Sequence, residues 1–207
     1  MRNAPVGESM TENTFALQDI FSKSLNKKEF LLAKAKYLQL IRKNSYELKA
    51  TKDIPEMIQI LKRDFQTVGP YQNITLFEAL NRIGSDLVLL SGAEKIFNGA
   101  IEEIIPETIH LRMGNTDGFD FEVMCTDHKI IYGEAFNAAP SFCKAKMRSA
   151  IRKLNKNKNG RKSDPSIILI NKEVEDVMET YRQKSKVMKN FMKQNKVLYC
   201  ETEGEGL

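Results

Sequence analysis

The run GFDFEVMCTDHKIIYGEAFN, residues 118–137, carries its apolar residues at an extended and not a helical period. Phe119, Phe121 and Val123 alternate with Asp120, Glu122 and Met124, which predicts a strand with the two sets on opposite faces. Thr126–Lys129 is a polar turn, and Ile130–Asn137 resumes the alternation with Ile130, Tyr132, Glu134 and Phe136 on one face. Two such strands joined by so short a turn form an antiparallel hairpin. Asp120, Glu122 and Glu134 sit inside it among apolar neighbours, where a carboxylate is disfavoured unless solvated or paired.

Upstream, Thr108–Met113 reads as a first strand, interrupted by a Gly-rich turn over 114–118. Two capping boxes precede it. Thr75-Leu-Phe-Glu78 opens a short helix, and Ser91-Gly-Ala-Glu94 opens another that runs to about Ile105 and halts at Pro106. From Thr14 to Thr67 the pattern is helical throughout, until Gly69-Pro70 stops it. Downstream, Pro140-Ser141 begins a helix with Phe142, Met147, Ile151 and Leu154 inward. Asn155–Asp164 is a basic loop, and Pro165–Ile170 is a short apolar strand of the fully buried kind. Asn171 is placed to cap a long final helix, Val174 to about Gln194, with an inner stripe of Val174, Val177, Met178, Tyr181, Met188, Phe191 and Met192. Val197–Glu201 reads as a last strand. Strand–helix–strand over 130–170 implies a right-handed parallel crossover beside the hairpin. The expected class is α+β (mixed α/β), with a disordered N-terminus over 1–13, a helical extension over 14–72 and a core over 73–207.

The chain has 207 residues, 42% hydrophobic and 29% charged, with a mean hydropathy of -0.41, which excludes collagen-like, disulfide-scaffold and wholly disordered classes. The longest unbroken apolar runs are four residues, as in Leu87–Leu90, so no membrane span is expected. The first ten residues lack an apolar stretch, and Cys125, Cys143 and Cys200 show no paired spacing, so a cytoplasmic setting is expected. No Walker loop, GxGxxG, GxSxG or HExxH is present, which leaves ATPase, dehydrogenase, α/β-hydrolase and zincin readings without support.

The formal net charge is +5, and its distribution says more than its size. Between Ser141 and Lys162 there are nine basic residues and no acidic one, so the remainder of the chain is net acidic. Lys144, Arg148 and Arg152 recur every four residues and form one ridge, which Lys156 extends. A ridge without interleaved acids repels itself, and a phosphate backbone relieves that; the plain alternative is a solvated helix face. For the hairpin acids the alternatives are similar. Carboxylates a few ångströms apart repel unless a cation sits among them, and Mg²⁺ suits such oxygen donors, whereas a wet sheet face needs no ion.

Helix, three strands, helix, strand resembles the αβββαβ core of the PD-(D/E)xK nuclease superfamily, which includes most type II restriction endonucleases. In that family the second strand starts with a metal-binding Asp and the third carries (D/E)xK. The resemblance rests on Gly118-Phe-Asp120-Phe-Glu122 and Gly133-Glu134-Ala-Phe136-Asn137. It implies that Asp120, Glu134 and the carbonyl of Ala135 hold Mg²⁺, with Glu122 as a further candidate ligand. It also implies a helping glutamate on the first core helix, for which Glu94, Glu102 and Glu103 are candidates. The basic helix would face DNA through Lys144, Lys146, Arg148, Arg152, Lys153 and Lys156. The family's lysine position holds Phe136 instead, and Lys144 and Lys146 are the expected catalytic substitutes, ahead of Lys129. The function so implied is a Mg²⁺-dependent DNA endonuclease of restriction type, acting as a homodimer through the 14–67 helices or the final helix. A catalytically inactive nucleic-acid-binding protein on the same fold is the alternative. A protein whose basic helix meets only acidic proteins is a third.

Overall fold

In the computed structural model the described residues are 15–43, 53–114, 118–156 and 165–202. The expected disordered stretch 1–13 and most of the basic loop, 157–164, lie outside them. The chain begins with α1 (Phe15–Phe21) and α2 (Lys27–Lys43). A reciprocal cap starts α2: the Asn26 side chain accepts from the Glu29 amide, and Glu29 Oε2 accepts from the Asn26 amide. Next comes α3 (Ile54–Lys62), with Pro55 in its first turn.

The helical reading then fails before Thr67. Phe65–Val68 is a strand, β1, paired antiparallel with β2 (Tyr71–Thr75). Gly69, at φ +58°, takes the left-handed conformation that this tight turn requires. Thr75 does cap a helix, its hydroxyl accepting from the Glu78 amide, but that helix is long: α4 (Leu76–Phe97). Ser91-Gly-Ala-Glu94 lies inside α4 and starts nothing. Gly92 is there for closeness, because a Cβ would meet Leu169 Cδ1 at 2.4 Å. The helix ends at Asn98 and Gly99 rather than near Ile105, and turns carry the chain to Pro106.

The main sheet has the order β3-β4-β5-β6-β7, formed by Pro106–Leu111, Phe121–Cys125, Ile130–Phe136, Ser166–Asn171 and Lys196–Cys200. The first three strands are antiparallel, and β6 and β7 continue parallel from β5, giving a mixed sheet and an α+β fold. Each face is covered. Phe121, Val123 and Ile131 join α4 and the N-terminal helices in one core cluster, while Phe136, Ile168 and Ile170 join the C-terminal helices in another. β6 is buried at every position, as the apolar run Ile167–Ile170 predicts for its middle, and its polar ends Ser166 and Asn171 are buried too. Phe119 departs from the expected alternation. The strand begins only at Phe121, and the Phe119 ring packs on Tyr132 at 4.6 Å between centroids, on the opposite face from Phe121.

Between β5 and β6 runs α5 (Cys143–Lys156), burying Met147, Ile151 and Leu154 as expected. Phe142 is 67% exposed instead of inward, because it sits in the turn before the helix and Cys143 takes the inward position. The final helix is broken. A 3-10 turn at Lys172–Val174 leads into α6 (Glu175–Lys184), and α7 (Lys186–Phe191) starts afresh where Ser185 Oγ accepts from the Met188 amide. Asn171 makes no side-chain cap; its amide group bridges the Ala138 N–H and Glu173. Val174, Met178, Met188 and Phe191 are nevertheless buried, with Val177, Tyr181 and Met192 half-buried beside them. Among the described residues no helix is long and apolar enough to cross a membrane.

Candidate active site

Asp120 lies in the bend that enters β4, held there by the backbone on both sides. Its N–H donates to Gly133 O at 3.1 Å, and its own carbonyl accepts from the Arg112 amide at 2.9 Å. The side chain reaches β5, where Oδ2 accepts from the Ala135 N–H at 2.7 Å. Glu134 stands next to it on β5, with a side chain only 8% exposed. The close approach depends on Gly133. Phe121 is its cross-strand partner, and a Cβ there would lie 1.9 Å from Phe121 Cζ.

One ammonium joins the two acids. Lys153 Nζ is 2.8 Å from Glu134 Oε2 and 3.8 Å from Asp120 Oδ1. The other Glu134 oxygen, Oε1, is buried without a hydrogen-bond partner. Burial, and then the neighbouring Asp120 charge, push the Glu134 carboxyl up to about 7 against the pull of Lys153. Burial also raises Asp120, opposed by the Ala135 N–H and by Lys153 and Lys146. Two carboxylates that resist ionising together, one of them with a buried, unpartnered oxygen, make a site short of positive charge.

A cleft of about 520 Å³ opens over this pair. One wall is α5, which contributes Lys146, Ser149 and Lys153 at three- and four-residue spacing on one helix face. The facing wall is the first half of α4, with Glu78, Arg82 and Ser85. Deeper in, Asp86 is fully buried. Its Oδ2 accepts from Tyr37 Oη at 2.7 Å and from the Tyr71 hydroxyl, and the Gly114 amide donates to the same carboxylate. Burial raises Asp86 to about 6, against those hydrogen bonds. The cluster ties α2, β2 and α4 to the loop that leads to Asp120. Arg112, also on the cleft, donates to Phe119 O at 3.2 Å and pairs with Glu122.

The structure thus brings together Asp120, Glu134, Ala135 and Lys146, and corrects several other expectations. Glu122 is engaged by Arg112 and does not line the cleft. Glu94 pairs with Lys34 at 2.6 Å, Glu103 pairs with Lys196 at 3.0 Å, and Glu102 is exposed in the turns beyond α4, so α4 serves the cleft through Glu78 and Asp86 instead. Lys144 is exposed and away from the cleft, on the same outward ridge as Arg148 and Arg152, and Lys156 is exposed at the end of the helix. Lys129 is held by Asp127 at 2.5 Å. The lysine beside the acids is Lys153, assigned from sequence to nucleic-acid contact alone. Because α5 runs back along β5, the residue level with Glu134 comes well down the helix and not at its start. Phe136 is buried in the C-terminal core, so nothing polar comes from the motif position. Nothing in the chain's local spacing marks Asp86, since its tyrosine partners lie 49 and 15 residues away.

Among the described residues no group of three or more His, Cys, Asp and Glu side chains could hold a metal ion. A cation here would rest on two carboxylates, main-chain oxygen and water. Comparison with protein-family models, with curated proteins and with solved structures gives no match to this chain.

Proposed function

We propose that the chain is a divalent-metal-dependent DNA endonuclease of restriction type, with Asp120, Glu134 and Lys153 as its catalytic centre. The observation that carries this reading is the position of Lys153, whose ammonium meets both carboxylates from the face of the basic helix. An inactive nucleic-acid-binding protein would have no need of a lysine there, and Phe136 leaves the centre without its lysine only if no other residue supplies one.

The residues fit a hard cation. Glu134 Oε1 is buried and unpartnered, Asp120 keeps Oδ1 free of main-chain donors, and oxygen donors suit Mg²⁺. Asp120, Glu134 and the Ala135 carbonyl would hold it. When bound, such an ion supplies charge neutralisation and a more acidic water. The protein's own groups do the rest. Lys153, fixed by Glu134, stabilises charge that develops on the phosphate oxygens. Lys146 and Arg82, on opposite walls, hold the backbone across the cleft, and the exposed ridge of Lys144, Arg148 and Arg152 grips flanking phosphates.

Cutting both strands of a duplex calls for two centres, most simply paired by symmetry in a homodimer. An exposed apolar surface supports pairing through the N-terminal part: Ile54, Met57 and Ile58 on α3, Phe65 on β1, and Phe77 and Leu80 at the start of α4. α3 buries none of its residues within the chain.

Incubation with Mg²⁺ and plasmids of varied sequence tests the proposal. Nicked or linear product is expected, lost in Asp120→Asn and Glu134→Gln and lowered by about 10² to 10³ in Lys153→Met. Plasmid that stays intact across varied sequences, with Glu134→Ala indistinguishable from wild type, would refute it.

A further inference from the structure

A second basic segment lies outside the site described. From Arg182 to Lys196 there are six basic residues, Arg182, Lys184, Lys186, Lys189, Lys193 and Lys196, and no acidic one. Arg182 pairs with Glu179 and Lys196 with Glu103. Among the described residues Lys184, Lys186, Lys189 and Lys193 have no carboxylate within ion-pair distance, and all four are exposed. The break at Ser185 gathers part of this charge. Where α6 ends and α7 begins again, Arg182, Gln183, Lys189 and Lys193 line a groove of about 530 Å³.

The apolar side of the segment is already spent. Met188 and Phe191 are buried in the core with Met178, and the Asn195 side chain accepts from the Ser166 amide and donates to Phe191 O. The apolar groups left at the surface here are Met192, which lines the groove, and Val187, too little for an interfacial helix, which needs a bulky apolar face opposite its charges. Apart from Met192 the groove presents three cations, Arg182, Lys189 and Lys193, and the Gln183 amide, the chemistry that suits a phosphate backbone.

Its place in the fold says which backbone. α5 and α6–α7 cover the same face of the sheet and share one core cluster. The strands β5, β6 and β7 are parallel, so the C-terminal ends of α5 and of α6–α7 both lead into strand starts, at Ser166 and Lys196. Arg152 and Lys156 therefore lie at the same end of the helical layer as Arg182, Lys189 and Lys193. We propose that the α6–α7 groove is a second duplex-backbone site, holding the phosphates that lie beyond the segment over the catalytic cleft. The proposal deepens the DNA reading and rests on it. The site sets duplex length and salt dependence and reads no bases.

The test measures binding of the full chain, without metal, to 10-bp and 30-bp duplexes over a salt series. The variants are Lys186→Gln/Lys189→Gln/Lys193→Gln and, separately, Arg148→Gln/Arg152→Gln, each checked for an unchanged melting curve. For the triple variant the expected result is about 10-fold or greater weakening on the 30-bp duplex, with little change on the 10-bp duplex. The slope of log affinity against log salt should become shallower by about 2 to 3, since each phosphate contact contributes about 0.9. A triple variant that matches wild type on 30 bp, while the α5 variant is weakened, overturns the second site and leaves the DNA reading standing. Salt-insensitive or absent binding by wild type overturns both. Binding to phosphatidylserine vesicles that the triple variant loses, with duplex binding intact, reassigns the groove to a lipid surface and overturns it as well.

Discussion

Replacing Lys153 by Met removes one charge from a pair of carboxylates that the fold has half-buried, and the cost depends on pH. At 2.8 Å from Glu134, Coulomb's law with an effective dielectric of about 20 gives about 6 kcal/mol as a ceiling. Two effects reduce it. The Lys153 side chain is 36% exposed, so solvent screens the pair, and a charged hydrogen bond of this kind nets about 1.5–3 kcal/mol. Glu134 can also escape by taking up a proton, which its folded-state value of about 7 makes easy. An acid whose folded value is raised above its unfolded one loses stability as pH rises between the two values. In wild type that decline, from about 4.5 upward, ends near pH 7. In Lys153→Met the folded value moves higher and the decline continues past it. The variant should therefore be less stable than wild type by about 2 kcal/mol at pH 8.5 and by under about 1 kcal/mol at pH 6, where the carboxyl carries its own proton. Urea denaturation at both pH values measures this, and a carbon-detected NMR titration of the Glu134 carboxyl identifies the group. A loss that is the same at both pH values, or no loss at either, would show that Lys153 does not neutralise the pair, and the catalytic assignment would lose its basis.

Other perturbations probe the scaffold around that pair. Gly133→Ala places a methyl in the Phe121 ring and should cost about 3 kcal/mol or more, or prevent folding; a melting temperature close to wild type would contradict the β4–β5 register. Asp86→Asn should flatten the pH dependence of stability. The wild-type carboxyl, raised from 3.8 to about 6, makes the fold lose up to about 3 kcal/mol as pH climbs through that window, and urea midpoints at pH 4.5 and pH 7 would differ less in the variant. Arg112→Ala removes the brace on Phe119 and Glu122, which flank Asp120. Under the proposed function, cleavage in the plasmid assay is expected to drop about 10- to 100-fold while the melting temperature moves only slightly, and a melting temperature lowered in step with cleavage would make Arg112 merely structural.

The parts of the fold legible in sequence are those in which one local signal suffices. The alternation over 121–125 and 130–136, the Thr75 cap and the apolar run Ile167–Ile170 are all signals of that kind, and the strands and helix they predict are present. Where two signals compete, the reading goes astray. Ser91-Gly-Ala-Glu94 has the residues of a capping box, but Gly92 is required by Leu169 on the sheet, which no neighbour in the chain announces. Taking that box as a helix start misplaces the cleft wall, and so Glu94, Glu102 and Glu103 stand in for Glu78 and Asp86. Phe65 continues the apolar pattern of α3, which hides a strand of four residues. Asp120 and Glu134 are found because a short hairpin fixes their neighbourhood. Lys153 is not, because its place beside them depends on how α5 crosses β5 and not on any spacing. The same holds for Tyr37, Tyr71 and Asp86, which meet from three separate elements.

The most direct measurement is a crystal of the wild-type chain soaked in Mn²⁺, with anomalous scattering used to locate the ion. A peak is expected between the carboxylates of Asp120 and Glu134, absent from Glu134→Gln, with Lys153 drawn off the pair. Soaked crystals with no peak in that cleft, and with Lys153 still bound to both acids, would contradict the catalytic assignment.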